Sequence, residues 1–151
     1  MQYEITLSGT KELARLLSSL PKAMEDEIVA EACDAGAEIV LASIQSRAPV
    51  LTGQLRQKMR IVPARARYRG LVSALVTAPT RAELGVAKDD PYYWPAALEY
   101  GHSRKLADGS IKTTRAIPFM RDGFDAVENE AADVVRKKVE EGIDRVAVTR
   151  V

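Results

Sequence analysis

The side chains that could do chemistry are few: one histidine, His102, and one cysteine, Cys33, in 151 residues. Nucleophilic catalysis needs a base within reach of the nucleophile, and His102 is the only imidazole. Its neighbours Gly101, Ser103, Arg104 and Lys105 place it in a basic loop, where a solvated or interface histidine is expected rather than a catalytic one. A zinc site needs spaced Cys, His or carboxylate partners, and the two residues stand almost seventy positions apart. Cys33 falls inside a helical pattern and reads as a small buried thiol. There is no GxGxxG, GxxxxGK[ST] or HExxH motif, and the carboxylates fall in mixed-charge rows that suit solvated helix faces. The expectation is a protein that is not an enzyme and carries no cofactor or metal.

The positive signal is charge. The net charge of +1 conceals a segregation: −4 over residues 1–50, +8 over 51–121 and −3 over 122–151. Two acidic ends flank a basic middle, which suits docking between copies or to a polyanion. Within the middle, Arg56, Lys58 and Arg60 alternate, as do Arg65, Arg67 and Arg69, with no acidic residue between 56 and 69. In strands, the period of two puts each trio on one face, where like charges repel unless something answers them. Water and salt, a partner or sister subunit, or nucleic acid could do so. No aromatics interleave the ladder as in single-strand binders, and no helix-turn-helix reader accompanies it. Further on, Tyr92, Tyr93, Trp94 and Tyr100 hold the only Trp and three of the five Tyr. Such residues suit a local core or an interface equally.

The elements that must position these residues follow from periodicity. At 151 residues the chain is expected to be a single domain, 1–151, burying about two-thirds of its unfolded surface. No run approaches the ~20 apolar residues of a membrane span, and the N-terminus lacks the basic-then-apolar order of a signal peptide. One cysteine excludes an internal disulfide framework and suits synthesis in a reducing cytoplasm. Residues 3–7 alternate as a strand. Thr10 can cap a helix carrying Leu13, Leu16, Leu17 and Leu20. Residues 21–47 form a long amphipathic helix, with Glu25, Asp26 and Glu27 at its start and Arg47 at its end, as the helix dipole favours. Pro49 stops it. Residues 58–78 read as two strands, 79–91 and 102–116 as irregular loops with Asp108-Gly109 a candidate hairpin tip. A second long helix spans about 118–146, with Pro118 in its first turn. The class is α+β: a small antiparallel sheet packed against two long helices, with long irregular loops.

Three motifs then stand in order: Ala48-Pro49-Val50-Leu51-Thr52-Gly53-Gln54-Leu55-Arg56; Tyr93 with Glu99 and Gly101; and Ala116-Ile117-Pro118-Phe119-Met120-Arg121. Their order and spacing resemble the tailed-phage neck, or tail-completion (head–tail joining), family of tail components typified by the tenth gene product of a lambdoid phage. The resemblance implies a structural virion protein, a minor tail, tail-terminator or neck component, acting at the head–tail junction as a homo-oligomeric ring. It implies partners among head-completion or connector proteins and tail-tube proteins, and location in the virion after synthesis in the host cytoplasm. DNA passing through such a ring would be held without sequence-specific readout, and no membrane is involved. The alternative function is a DNA-binding accessory protein using Arg-rich strands 56–69. Candidate interface residues are Arg56, Lys58, Arg60, Arg65, Arg67, Arg69, Tyr92, Tyr93, Trp94, Glu99, His102, Arg104 and Lys105. Pro49, Thr52, Gly53, Leu55, Gly101, Pro118 and Phe119 are read as structural.

Overall fold

The computed structural model describes residues 2–3, 11–50, 53–67, 71–88 and 93–149. In chain order these form β1 (Gln2–Tyr3), α1 (Lys11–Ser18), α2 (Lys22–Arg47), α3 (Gln54–Lys58), β2 (Arg60–Arg67), β3 (Leu71–Thr77), α4 (Trp94–Tyr100), β4 (His102–Lys105), β5 (Ile111–Thr114), α5 (Phe119–Asp125) and α6 (Glu128–Thr149). The fold is α+β, as the periodicity predicts. One antiparallel sheet has the order β1-β3-β2, and β4 pairs with β5 in a separate two-stranded ribbon. Of the strand predicted over 3–7, Tyr3 belongs to β1 and residues 4–7 lie outside the described residues, as does the Thr10 cap.

Helix α2 is the spine. It buries Ile28, Ala32, Cys33, Gly36, Ala37, Val40, Ser43 and Ile44, a surface too wide for one partner. Its C-terminal half packs with the sheet residues Ala74 and Val76, with Leu55 and Met59, and with Phe119 and Met120 of α5. Its N-terminal half packs Ile28 and Ala32 against Val135 and Val139 of α6, with Leu13, Leu17 and Leu20 closing the same cluster. Fully burying one such aliphatic side chain contributes about 1.5–3 kcal/mol. The helix stops where Ala48 turns extended, at φ −61° and ψ 133°, as the residue before a proline must.

Two glycines set how closely the helices approach. A Cβ at Gly123 of α5 would lie 2.7 Å from the Ile44 Cα, so only glycine lets these backbones meet. The Gly123 carbonyl there accepts a 2.7 Å hydrogen bond from the buried Ser43 hydroxyl. At Gly142 of α6 the obstacle would be the Ile28 side chain, 2.6 Å away.

The structure amends three expectations. The helix predicted over 118–146 is broken at Ala126-Val127. Val127 N–H bonds back to Phe124 in a tightened turn, so α5 crosses α2 at Gly123 while α6 runs along it. Residues 102–116 are not an irregular loop: they hold the β4–β5 hairpin, whose turn contains Gly109 at φ 85°. Arg56 and Lys58 lie on α3 rather than in a strand, so the first basic trio has no common strand face. Gly53, left-handed at φ 74°, starts that helix, which its lack of Cβ permits.

Gly123→Ala tests the close approach. Helix propensity alone predicts a gain of up to about 1 kcal/mol. The backbone clash instead predicts a loss of about 1–3 kcal/mol, read from urea unfolding midpoints. Gly142→Ala should cost less, because a side-chain end can shift where a backbone cannot.

Candidate subunit-contact surface

The three sequence motifs are three internal braces. In the first, Leu55 is buried at 2% exposure in the core, while the adjacent Arg56 folds back on α2. Its guanidinium donates to the carbonyls of Ser46, at 3.2 Å, and Ala48, at 3.0 Å. Those are carbonyls at the negative end of the helix dipole, where a cation is favoured. Gln45 returns the link by donating to the Arg56 carbonyl. Arg56 is therefore a clamp on the helix end within the chain. Pro49 is half-buried behind the helix stop, and Thr52 lies outside the described residues.

The second and third motifs meet each other. Glu99, on α4, is 1% exposed. Its carboxylate accepts from the backbone N–H groups of Met120, at 2.9 Å, and Arg121, at 3.1 Å. These are otherwise unpaired donors in the first turn of α5. The acid of this interface candidate is used inside the chain. Gly101 follows at φ 78°, with the Thr114 carbonyl 3.1 Å and the Ala116 nitrogen 3.2 Å from where a Cβ would be. Pro118 then leads Phe119, 2% exposed, into the core.

The basic ladder divides. Lys58 Nζ donates to the Glu83 carbonyl, and Arg60 pairs with the Glu83 carboxylate at 2.6 Å. Glu83 itself closes a capping box with Thr80: its carboxylate accepts from Thr80 N–H at 2.6 Å and the Thr80 hydroxyl at 2.8 Å. The Thr80-x-x-Glu83 spacing was the available signal for this turn. Tyr93 anchors it by donating its hydroxyl to the Pro79 carbonyl, and the Arg81 guanidinium lies 5.4 Å from the Tyr93 ring centre. Burial pushes the Tyr93 phenol up, partly offset by Arg81. Trp94 is half-buried against the core, which favours the local-core reading of the aromatic cluster, while Tyr100 is 63% exposed.

Backbone pairing places Arg65 opposite Ser73 and Arg67 opposite Leu71. A bulge between Val62 and Arg65, at Pro63-Ala64, shifts the register by one residue. Positions 60, 65 and 67 thereby share a sheet face despite their odd spacing, since a one-residue shift exchanges the faces. Arg69 and Tyr92 lie outside the described residues.

What remains exposed is the β4–β5 hairpin. His102 is half-buried at its base, whereas Ser103, Arg104, Lys105 and all of β5 are exposed. Arg104 stands directly opposite Lys112, and Lys105 opposite Ile111. Like charges across a strand pair repel, and among the described residues no carboxylate is paired with any of these three cations. Ile111 is 72% exposed. Neither Lys112 nor Ile111 was singled out by the sequence, because alternation means little until the register is known. Among the described residues no His, Cys, Asp and Glu cluster could hold a metal ion, and no helix is long and apolar enough to cross a membrane.

Residues 11–101 match the HK97-gp10-like family, described as "Bacteriophage HK97-gp10, putative tail-component". The chain belongs to this family. The match runs from the start of α1 to Gly101, well over half the chain, and contains the first two motifs; the Pro118-Phe119 motif lies beyond it. No curated protein and no solved structure matches the chain. Within the family segment lie both the Arg56 clamp on the helix end and the acid that braces the start of α5.

Two measurements check these braces. Glu99→Ala should destabilise by about 3 kcal/mol or more, since one buried and one part-buried donor lose their acceptor. Glu99→Gln, keeping one acceptor, should cost less in the same unfolding assay. Glu83 is held at about 2, below its usual 4.5, by the Thr80 N–H first and Arg60 next. A depressed acid stabilises the fold above its unfolded value and loses that contribution as pH falls toward the folded one. The Thr80 amide shift should therefore titrate with a midpoint near 2, and Glu83→Gln should abolish the titration.

Proposed function

We propose that this chain is a structural virion protein of a tailed phage, a subunit of a homo-oligomeric ring that joins or completes the tail at the head–tail junction. Membership in a bacteriophage tail-component family supports a structural role in the virion. The observation that carries the ring is the segregation of surfaces: an exposed basic hairpin projects from a body whose long helices are acidic. Helix α2 carries six acidic and two basic side chains, and α5 with α6 eight and five. Rings built by head-to-tail contacts need two different, complementary patches on each subunit, and these surfaces are such a pair. The partners are connector or head-completion proteins on one side and the tail tube on the other, with assembly in the host cytoplasm and no catalytic step.

The alternative, DNA binding through residues 56–69, loses part of its basis because Arg56, Lys58 and Arg60 are engaged within the chain. Sedimentation velocity and electron microscopy of the purified protein, alone and with connector and tail-tube proteins, separate the two. Ring-sized particles are expected at low salt. They should weaken as the screening length falls from about 10 Å at 0.1 M to about 3 Å at 1 M. A monomer at every concentration that also ignores both partners would sink the proposal. Duplex-DNA binding that is steeply salt-dependent, and lost in an Arg65, Arg67 and Arg69 to Ala variant, would favour the alternative.

A further inference from the structure

We infer that the β4–β5 hairpin is a docking arm, and that its Ile111 seats in a groove between the start of α2 and the end of α6 on a second copy of this chain. The inference rests on the ring reading and names its contact.

The arm has the marks of an unfinished surface. A two-stranded ribbon alone is marginally stable in water, yet this one presents exposed residues along both strands. Lys105 and Ile111 are directly opposite one another, so an apolar knob and an ammonium group project from the same side of the ribbon. Ser103 and Thr113, two residues back toward the base, are joined by a 2.9 Å hydroxyl pair on that side.

The groove is the complement. It encloses about 270 Å³ among Met24, Ile28, Gly142 and Val146, with the charged side chains Glu27, Glu31 and Arg145 also lining it. Met24 is 40% exposed at its mouth. Glu31 is paired with Arg145 at 3.0 Å, whereas among the described residues no cation pairs with Glu27. An apolar floor with a carboxylate beside it matches an isoleucine with a lysine beside it.

The contact must be between copies. The hairpin leaves the body beside α5, which crosses α2 at Ser43 and Ile44. Ile28 lies sixteen residues earlier on α2, roughly 24 Å away at the helical rise. None of the residues lining the groove belongs to the hairpin. A knob at one end and its groove at the other form a heterologous contact, the kind that propagates around a ring.

Mixing an Ile111→Cys protein with a Met24→Cys protein under mild oxidation tests the geometry. Cys33 is buried and serves as the common background. Disulfide-linked dimers are expected from the mixture and not from either protein alone. Ile111→Ser should raise the concentration needed for assembly roughly tenfold, as loss of a central anchor does. Lys105→Glu and Glu27→Lys should each weaken assembly, and combining them should restore it. If the wild type forms rings but the mixture gives no linked dimer and Ile111→Ser assembles normally, the docking is wrong and the ring reading stands. Linked dimers from a wild type that forms only open chains would leave the docking in place and remove the ring. A wild type that never assembles, with no linked dimers, overturns both.

Discussion

The buried carboxylate of Glu99 ties the second half of the molecule to the first. It offers two acceptors to the opening N–H groups of α5, donors that the helix itself leaves without partners. Leu98 adds a backbone bond, accepting from Ile117 N–H at 2.6 Å. With both strands of chain pinned there, the residues between them must leave the body and return. They do so as the β4–β5 hairpin, whose base is set by the left-handed Gly101 packed on Thr114 and Ala116. The same brace delivers Phe119 and Met120 to the core and aims Gly123 at Ile44. A protruding arm and a packed C-terminal helix thus share one cause.

Helix α2 explains how an apolar core of small side chains can hold this together. Aromatics make up only 5% of the chain, so bulk is replaced by proximity. Small residues Ala32, Gly36 and Ala37 are buried on α2, and Gly123 and Gly142 opposite it admit Ile44 and Ile28 at close range. Dispersion is additive over many close atom pairs, and Ser43 bonds directly to the opposing Gly123 carbonyl where the approach is tightest.

Arginine and lysine meet two fates. Arg56, Lys58 and Arg60 are answered inside the chain, by carbonyls at the end of α2 and by the Thr80–Glu83 turn. Arg104, Lys105 and Lys112 are answered by nothing within the described residues, and two of them face each other across the ribbon. The first set is therefore spent on folding. The second stays exposed on the ribbon, and its contrast with the acidic helices is a property of the surface rather than of net charge.

Much of this was determined by the sequence alone. Periodicity gave α2 to within one residue of Lys22–Arg47, the stop at Pro49, the β2 and β3 strands and the α+β class. The three motifs gave the family. Local rules suffice for these because they depend on neighbours a few positions apart. Tertiary structure decided the rest. Glu99 and Met120 are twenty-one residues apart, and no local rule says that the acid of one motif caps the helix of another. Whether 102–116 wanders or forms a ribbon turns on how firmly its ends are pinned. The bulge at Pro63-Ala64 selects the face of β2 that positions 65 and 67 share with Arg60. Which lysine is a brace and which is an arm depends on where distant carboxylates come to rest. That is a consequence of packing, and a chain read one residue at a time does not contain it.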